Sequence, residues 1–177
     1  LRFSRGEEDQ SMKFCSLKGI IEESVLLTTS RLKAQQFEIT LDLPQEEIMI
    51  NCHQLQIGQV FVNLISNSID ALENSDTHWI SISARIQGSN VIIKFADSGS
   101  GIPVEIRNKI MTPFFTTKES GKGTGLGLSI TRSIILGHMG HIEIDANAKN
   151  TTFIIELPLD AEVEKSLATA TRDRLRA

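Results

Sequence analysis

The sequence has no run of apolar residues long enough to cross a membrane as a helix, and no signal peptide is visible. It also has no basic excess, since its formal net charge is −4 and it contains no basic run typical of duplex DNA binding. These absences argue against a membrane-spanning or DNA-binding role. The sequence begins with Leu1, so we interpret it as a piece of a longer protein. A membrane anchor could lie outside it.

Cysteine and histidine patterns typical of metal sites are also missing. Cys15 and Cys52 lie far apart without metal-site spacing. We interpret them as reduced thiols of a cytoplasmic protein, with a disulfide as the less favoured alternative. His138 and His141 are three residues apart but span a glycine turn, so we treat them as ordinary residues.

The 177 residues are enough for one domain with short extensions. Alternating apolar and polar residues predict strands over 37–43, 48–50, 78–87, 91–97, 140–146 and 151–157. Helical spacing of apolar residues predicts helices beginning near Ser16, Gln54 and Thr124. We therefore predict an α+β fold: a two-layer α/β sandwich whose mixed, mainly antiparallel sheet is covered on one face by three helices.

The helix that begins at Gln54 has an unusual polar face. Asn63, Asn67, Asp70, Ala71 and Asn74 share this face at helical spacing. Asn and Asp are poor residues for a helix interior, because their short side chains compete for backbone hydrogen bonds. The face is therefore either built to bind a polar ligand or an ordinary solvated face.

Asp97 ends a strand and is followed by a glycine turn. It shares parity with Val91 and Phe95, which predicts that its carboxylate lies at the end of the buried face. Such a carboxylate could accept a hydrogen bond from the exocyclic amine of adenine, or it could bond the backbone of the turn that follows it. Gly99 and Gly101 allow the backbone to bend and approach a flat ring.

A second glycine-rich turn, 121–127, runs directly into an apolar helix. Glycines before a helix N-terminus allow several N–H groups to converge on a phosphate. Thr124 could contribute its hydroxyl or cap the helix. Between the two turns, Phe114, Phe115 and Lys118 suggest a lid over a nucleotide, although core aromatics and a solvated lysine are the simpler alternative. The P-loop and dinucleotide-fold patterns are both missing.

With these motifs identified, the chain resembles the catalytic ATP-binding domain of sensor histidine kinases, in the superfamily shared with DNA gyrase B and heat-shock chaperones. Residues 63–71 resemble the asparagine box, 97–102 the first glycine box, 113–118 the phenylalanine box and 123–129 the second glycine box. The four motifs occur in the family's order across roughly 17–157.

The resemblance implies an ATP site with Mg²⁺. Its implied binding residues are Asn63, Asn67, Asp70, Ala71, Asp97, Gly99, Gly101, Ile102, Thr116, Lys118, Gly123, Thr124, Gly125, Leu126, Gly127, Leu128 and Thr152. Asn67 would ligate Mg²⁺, and Asp97 would hold the adenine amine. Asn63 and Lys118 would be the catalytic residues, and Thr152 would reach the adenine region through water.

The resemblance implies transfer of the γ-phosphoryl group of ATP to a histidine. The glutamate that activates water in the chaperone and topoisomerase relatives is replaced here by Asn63, which argues against efficient hydrolysis. The family's last glycine-rich turn is replaced by residues 149–153 without glycine, so that edge of the pocket is less well defined by the motif.

The acceptor histidine is not expected in this chain. Residues 1–15 would be the end of an upstream dimerisation hairpin and a linker, 16–158 the catalytic domain, and 159–177 a helical tail or linker. The expected partners are the dimerisation and phosphoacceptor domain of the same protein and a response regulator receiver domain, with no nucleic acid. We predict a monomer for this chain and a homodimer for the full-length protein, which could be anchored in the inner membrane.

Two other functions remain open at this point. The chain could be a nucleotide-sensing interaction module that docks a partner without transferring phosphate. It could also be a serine kinase of the anti-sigma-factor type, which has the same fold.

Overall fold

The computed structural model describes residues 11–118 and 123–159. The predictions for the dimerisation hairpin before residue 11 and for the tail from residue 160 lie outside the described residues. In chain order the elements are β1 (Lys13–Ser16), α1 (Leu17–Ala34), β2 (Glu38–Asp42), β3 (Met49–Cys52), α2 (Gln54–Ala71), β4 (Trp79–Gln87), β5 (Asn90–Asp97), α3 (Val104–Arg107), α4 (Gly127–Gly137), β6 (His141–Ile144) and β7 (Thr152–Pro158).

The main sheet has the order β2-β4-β5-β7-β6. β2 pairs with β4 in parallel, and the other neighbours pair antiparallel. This confirms the predicted mixed, mainly antiparallel sheet. Its central strand β5 places Val91, Ile93 and Phe95 in the core with no exposed surface. Asp97 continues that face and is only 4% exposed, as the parity of the strand predicted.

Helices α1, α2 and α4 form the second layer, with α2 packed between α1 and α4. α1 begins where predicted, and Ser16 caps it, because its Oγ accepts a hydrogen bond from the Gly19 amide at 3.1 Å. The buried residues Ile57, Phe61 and Ile65 form the apolar stripe by which α2 joins the core. The two-layer prediction is therefore confirmed.

The strand predicted at 48–50 does not join the main sheet. It pairs antiparallel with β1 in a separate two-stranded sheet, with Lys13 opposite Cys52. β1 was not predicted, because four residues are too short to show a clear alternation. Cys15 and Cys52 are buried free thiols, as expected. Burial, followed by the neighbouring Cys15 thiol, raises the pKa of Cys52 to about 12.

Two histidines hold the helix layer together. The ring nitrogens of His78 lie 2.6 Å from the Gln35 carbonyl oxygen and 2.9 Å from that of Leu72, at the ends of α1 and α2. His138 Nε2 accepts a hydrogen bond from the His53 amide at 3.0 Å, which ties the end of α4 to the start of α2. These contacts are structural, and for His138 they are consistent with its treatment as an ordinary residue.

Across residues 11–118 and 123–159, no group of three or more His, Cys, Asp or Glu side chains is arranged to hold a metal ion. In the same part of the chain, no helix is long and apolar enough to cross a membrane.

Candidate functional site

A cavity of about 620 Å³ opens between α2, the turn that follows β5, and the segments on either side of residues 119–122. Its volume is in the range typical of small-molecule sites, roughly 300–1,000 Å³. Most of the predicted binding residues line it: Asn67, Asp70, Ala71, Asp97, Gly99, Gly101, Ile102, Thr116, Lys118, Gly123, Thr124, Gly125, Gly127 and Leu128. Segments distant in sequence therefore meet at one site.

One part of the cavity lies around the Asp97 carboxylate. We call this part the sheet end and define it by Asp97, Ser68 and Gly99. Ser68 Oγ donates to Asp97 Oδ2 at 2.5 Å, and the Gly99 amide donates to Oδ1 at 2.9 Å. Burial raises the pKa of Asp97 above its usual value, although the hydrogen bonds from Ser68, Gly99 and Thr151 act in the opposite direction.

Both interpretations of Asp97 therefore have structural support. It bonds the backbone of the glycine turn, and it also lines the cavity. Each carboxylate oxygen has two lone pairs, so these bonds leave acceptor capacity for a ligand donor.

Gly99 is required by the crowding around Asp97. A Cβ added to Gly99 would lie 2.7 Å from Thr151 Oγ1 and 2.9 Å from Asp97 Oδ1. Gly101 has a φ of +90°, a conformation that side-chain-bearing residues rarely adopt. The first glycine turn therefore keeps the backbone close to the carboxylate.

Sequence reasoning missed Ser68, which is 3% exposed and bonded to Asp97. A signal was available, because Ser68 lies one helical turn after the buried Leu64 and next to the buried Ile69. A hydroxyl on the buried face of a helix requires a hydrogen-bond partner, and a buried aspartate requires a donor.

Thr152, predicted to reach the adenine region through water, lies beside the cavity lining rather than in it. Thr152 does not line the cavity, and its hydroxyl donates to the Asn150 carbonyl at 3.2 Å. Thr151 and Phe153 line the cavity instead. The reason is strand alternation: Phe153 is paired with the core residue Phe95, so Thr151 shares the helix-facing parity that Thr152 lacks.

The other part of the cavity, which we call the loop end, is defined by Asp70, Lys118 and Gly125. Lys118 Nζ lies 2.5 Å from Asp70 Oδ2, and Arg31 Nη2 lies 2.5 Å from Asp70 Oδ1. Partial burial raises the pKa of Asp70, but the hydrogen bonds and charges of Lys118 and Arg31 outweigh it and lower that pKa. Lys118 is thus part of an ion-pair network at the cavity.

The second glycine turn packs closely against the phenylalanine segment. Gly125 has a φ of +65°, and a Cβ added there would lie 2.5 Å from the backbone carbon of Phe114. Phe114 is 76% exposed, whereas Phe115 packs against the core and lines the cavity. The two phenylalanines therefore have different environments, so neither the lid nor the core alternative describes both.

Helix α4 begins at Gly127, slightly later than predicted. Leu126 occupies its N-cap without a side-chain hydrogen bond and does not line the cavity. Thr124 Oγ1 accepts a hydrogen bond from the Leu126 amide at 3.4 Å, so Thr124 orders the turn before the helix. Gly127 and Leu128, the first residues of α4, line the cavity, and the first N–H groups of a helix have no partner within the helix.

Asn63 also lies outside the lining of the cavity. Its Nδ2 donates to the Gly127 carbonyl at 3.2 Å and lies 3.4 Å from Thr131 Oγ1. In this structure Asn63 fixes the start of α4 against α2. Its predicted catalytic role would require its side chain to exchange these contacts for a ligand.

Asn67 fits the predicted Mg²⁺ site by chemistry and position. Its carboxamide lines the cavity near Gly127, where a Cβ would come within 3.8 Å of Asn67 Nδ2. Mg²⁺ commonly takes few protein ligands and completes its shell with phosphate oxygens and water. A single amide oxygen therefore suits an ion that arrives with a nucleotide.

Comparison with known proteins gives a consistent result. Residues 52–161 match the family model described as histidine kinase-, DNA gyrase B- and HSP90-like ATPase. Sporulation kinase A of Bacillus subtilis is 35% identical over 89% of this chain and 26% of its own length. The C4-dicarboxylate transport sensor protein DctB of Rhizobium meliloti is 31% identical over 80% of this chain and 22% of its own length. The chain thus spans about a quarter of these relatives.

Solved structures agree with the sequence comparison. The catalytic domain of histidine kinase ThkA has a TM-score of 0.75 and 31% identity, covering 84% of this chain and 96% of that domain. A structure of ThkA in complex with the response regulator protein TrrA has a TM-score of 0.71 and 28% identity, covering 85% of this chain and 42% of the kinase.

Proposed function

This chain belongs to the family of histidine kinase-, DNA gyrase B- and HSP90-like ATPases, and we propose that it transfers the γ-phosphoryl group of ATP to a histidine on a dimerisation domain outside this chain. It is an ATP-binding catalytic domain of the sensor histidine kinase type. The observation that carries the proposal is the cavity itself, which is lined by a buried carboxylate, by a lysine and by the first residues of α4.

The geometry suggests how ATP would be oriented. Asp97 would accept a hydrogen bond from the adenine amine at the sheet end, while Lys118 and the α4 amides would bind the phosphates at the loop end. Mg²⁺ would neutralise phosphate charge, with Asn67 as its protein ligand. Catalysis would then consist of positioning and charge stabilisation.

The charged residues of the cavity favour transfer over hydrolysis. Among the described residues that line it, the carboxylates are Asp70 and Asp97. Asp70 is bonded to two cations and Asp97 to Ser68 and Gly99. Neither is arranged as a free base for water, and Asn63 cannot act as one because an amide has no useful basicity.

The test is phosphotransfer to a separately supplied acceptor. The dimerisation and phosphoacceptor domain of the full-length protein is mixed with this chain and labelled ATP. We expect an acid-labile phosphoprotein, because phosphohistidine is lost in acid. The matched control replaces the acceptor histidine with Gln and should stay unlabelled.

The other outcomes separate the alternatives. Acid-stable label on the acceptor would indicate a serine kinase. ATP binding without label at any protein concentration would indicate a nucleotide-sensing interaction module. No ATP binding at all would exclude each of these functions for this chain.

The proposed metal is tested by binding in the presence and absence of Mg²⁺. ATP affinity should rise when Mg²⁺ is added to the wild-type protein, and Asn67→Ala should lose most of that rise. Asn74→Ala, three residues beyond the end of α2, serves as a control. An Asn67→Ala variant with the full Mg²⁺ effect would remove Asn67 from the metal site.

We propose the partners and location in the same framework. The ThkA kinase is solved with a response regulator, which supports a receiver domain as the downstream partner. The reduced, buried cysteines and the use of ATP support a cytoplasmic position for this domain. We expect this chain alone to be a monomer, and a light-scattering mass of twice the chain mass would contradict that expectation.

A further inference from the structure

Helix α1 contains no residue of the predicted site, yet it supplies a charge to the loop end. Arg31 Nη2 lies 2.5 Å from Asp70 Oδ1, and Lys118 Nζ lies 2.5 Å from Asp70 Oδ2. Each oxygen of one carboxylate therefore holds one cation. We propose that Arg31 is a positioning residue for the nucleotide phosphates: its charge offsets that of Asp70, so that Arg31, Asp70 and Lys118 together carry a net positive charge. This inference rests on the proposed ATP site.

Few of the described charged side chains face the cavity. Among its described lining residues, the charged side chains are Asp70, Lys118 and Asp97. Asp97 is bonded at the sheet end, so the loop end carries one negative and one positive group. Alone, that pair has no net charge and would attract a polyphosphate only as a dipole.

Arg31 adds one positive charge to this pair. With Arg31, the three side chains carry a net charge of +1, because two cations share one carboxylate. An arginine suits this role because it stays protonated at any physiological pH and donates from a planar fork. Asp70 remains ionised at neutral pH, since its pKa is lowered despite partial burial.

An ordinary surface ion pair is the competing explanation. Such pairs contribute little, typically about 0–1 kcal/mol, and many have no measurable effect. The chain provides a matched example in Arg85 and Asp42, whose Nη2 and Oδ2 also lie 2.5 Å apart. Neither residue lines the cavity. Their side chains are 58% and 61% exposed, against 49% for Arg31 and 33% for Asp70.

Four proteins separate these explanations by net charge at the loop end. The wild type carries +1, Arg31→Gln carries 0, Asp70→Asn carries +2, and the double variant carries +1 again. We expect Arg31→Gln to weaken ATP binding by about five- to tenfold, as estimated for one charge at short range in a partly screened site. The double variant should recover most of the ATP affinity that Arg31→Gln loses, because its net charge is again +1.

Adenosine provides an internal reference, because it lacks phosphate. Calorimetric titration with ATP and with adenosine, at low and high salt, measures both ends of the cavity in the same protein. We expect adenosine affinity to stay within about twofold in all four proteins, and the loss in Arg31→Gln to shrink at high salt. Arg85→Gln and Asp42→Asn should leave both affinities unchanged.

The inference is overturned if Arg31→Gln binds ATP as tightly as the wild type, or if the double variant stays as weak as Arg31→Gln. It is also overturned if Arg31→Gln loses adenosine and ATP equally, which would indicate a general structural role. If Arg31→Gln fails to fold, Arg31→Lys replaces it in the test. Because this variant keeps the positive charge, its ATP affinity must stay within about twofold of the wild-type value. Absence of ATP binding by the wild type would instead contradict the proposed function.

Discussion

Two aspartates line the same cavity in opposite environments. Asp97, at the sheet end, is buried and bonded by the neutral donors Ser68 and Gly99, and burial raises its pKa. Asp70, at the loop end, is a third exposed and bonded by two cations, which lower its pKa. Two residues of the same type thus have different roles, because their hydrogen-bond partners and their access to water differ.

The two environments suit different tasks: Asp97 can recognise a ligand group, whereas Asp70 sets the local net charge. A buried carboxylate with neutral partners can distinguish a ligand that offers a donor of the right geometry, because an unpaired polar group in that place is costly. A carboxylate shared by two cations recognises little by itself but sets the local charge. The sheet end should therefore determine which base binds, and the loop end should determine how strongly the phosphates contribute.

The largest expected effect comes from removing the charge at the sheet end. Asp97→Asn should weaken ATP and ADP binding by about 30- to 150-fold, equivalent to roughly 2–3 kcal/mol for a charged hydrogen bond. The same loss should appear for adenosine, because the base is the group affected. Calorimetric titration of all three ligands provides the measurement.

Asp145→Asn is the matched control for that variant. Asp145 also accepts a hydrogen bond from an amide two residues later, that of Asn147 at 3.0 Å, but it lies outside the cavity. The Asp145→Asn variant should bind ATP, ADP and adenosine as tightly as the wild type does. If Asp97→Asn retained adenosine binding, the assignment of the sheet end to the base would be wrong.

A smaller effect is expected from crowding the loop end. Gly125→Ala would place a Cβ 2.5 Å from the Phe114 backbone at a φ of +65°. The turn must shift, so the amides before α4 should lose their alignment on the phosphates. We expect ATP affinity to fall about tenfold, as for one or two lost charge-assisted hydrogen bonds, with a much smaller change for adenosine.

Gly88→Ala separates crowding from backbone strain. Gly88 has a φ of +59° in the β4–β5 hairpin, and a Cβ there would have nothing within 4 Å. Both variants should lose roughly 1 kcal/mol of stability from the positive φ, measured by urea denaturation. ATP affinity should change only in Gly125→Ala, and an equal change in both would attribute the effect to general destabilisation.

The smallest effect is the pH dependence of stability, where the two aspartates should differ in sign. The pKa of Asp97 is raised from 3.8 in the folded state, so its contribution to the free energy of unfolding is lost as pH rises through the raised pKa. The pKa of Asp70 is lowered from 3.8, so its contribution is lost as pH falls through the lowered pKa.

Urea denaturation from acid pH, below the usual aspartate pKa of 3.8, to neutral pH checks this comparison. Asp97→Asn should reduce the decline in stability toward neutral pH and should be at least as stable as the wild type there. Asp70→Asn should instead reduce the loss of stability at acid pH, by a small amount because Asp70 is partly solvated. Identical pH profiles for the two variants would show that their environments do not differ as described.

Much of this site could be predicted from local patterns. Strand parity placed Asp97 on the buried face, and helical spacing placed Asn67 and Asp70 on one face of α2. Positive φ values at Gly101 and Gly125 agree with the two glycine turns identified in the sequence. These features depend on residues close in sequence, for which backbone periodicity and glycine geometry are sufficient.

Other features could not be predicted, because local patterns do not specify packing. Strand β3 was predicted correctly as a strand but could not be assigned to its partner β1. The role of Thr152 came from the resemblance alone, and in the structure its neighbours Thr151 and Phe153 line the cavity. Asn63 lies on the predicted face, but its side-chain amide donates a hydrogen bond to the Gly127 carbonyl.

The sequence by itself determined the family motifs, their order, and the alternation that builds a mixed sheet under three helices. Only the tertiary structure decided which side chains pair across those elements. Ser68 meets Asp97, and Arg31 meets Asp70, across 29 and 39 residues. Such pairs follow from the packing of α1, α2 and β5, whose relative positions are set by the burial of apolar surface that has no directional preference. Periodicity says which face a residue occupies, and packing decides what lies opposite that face.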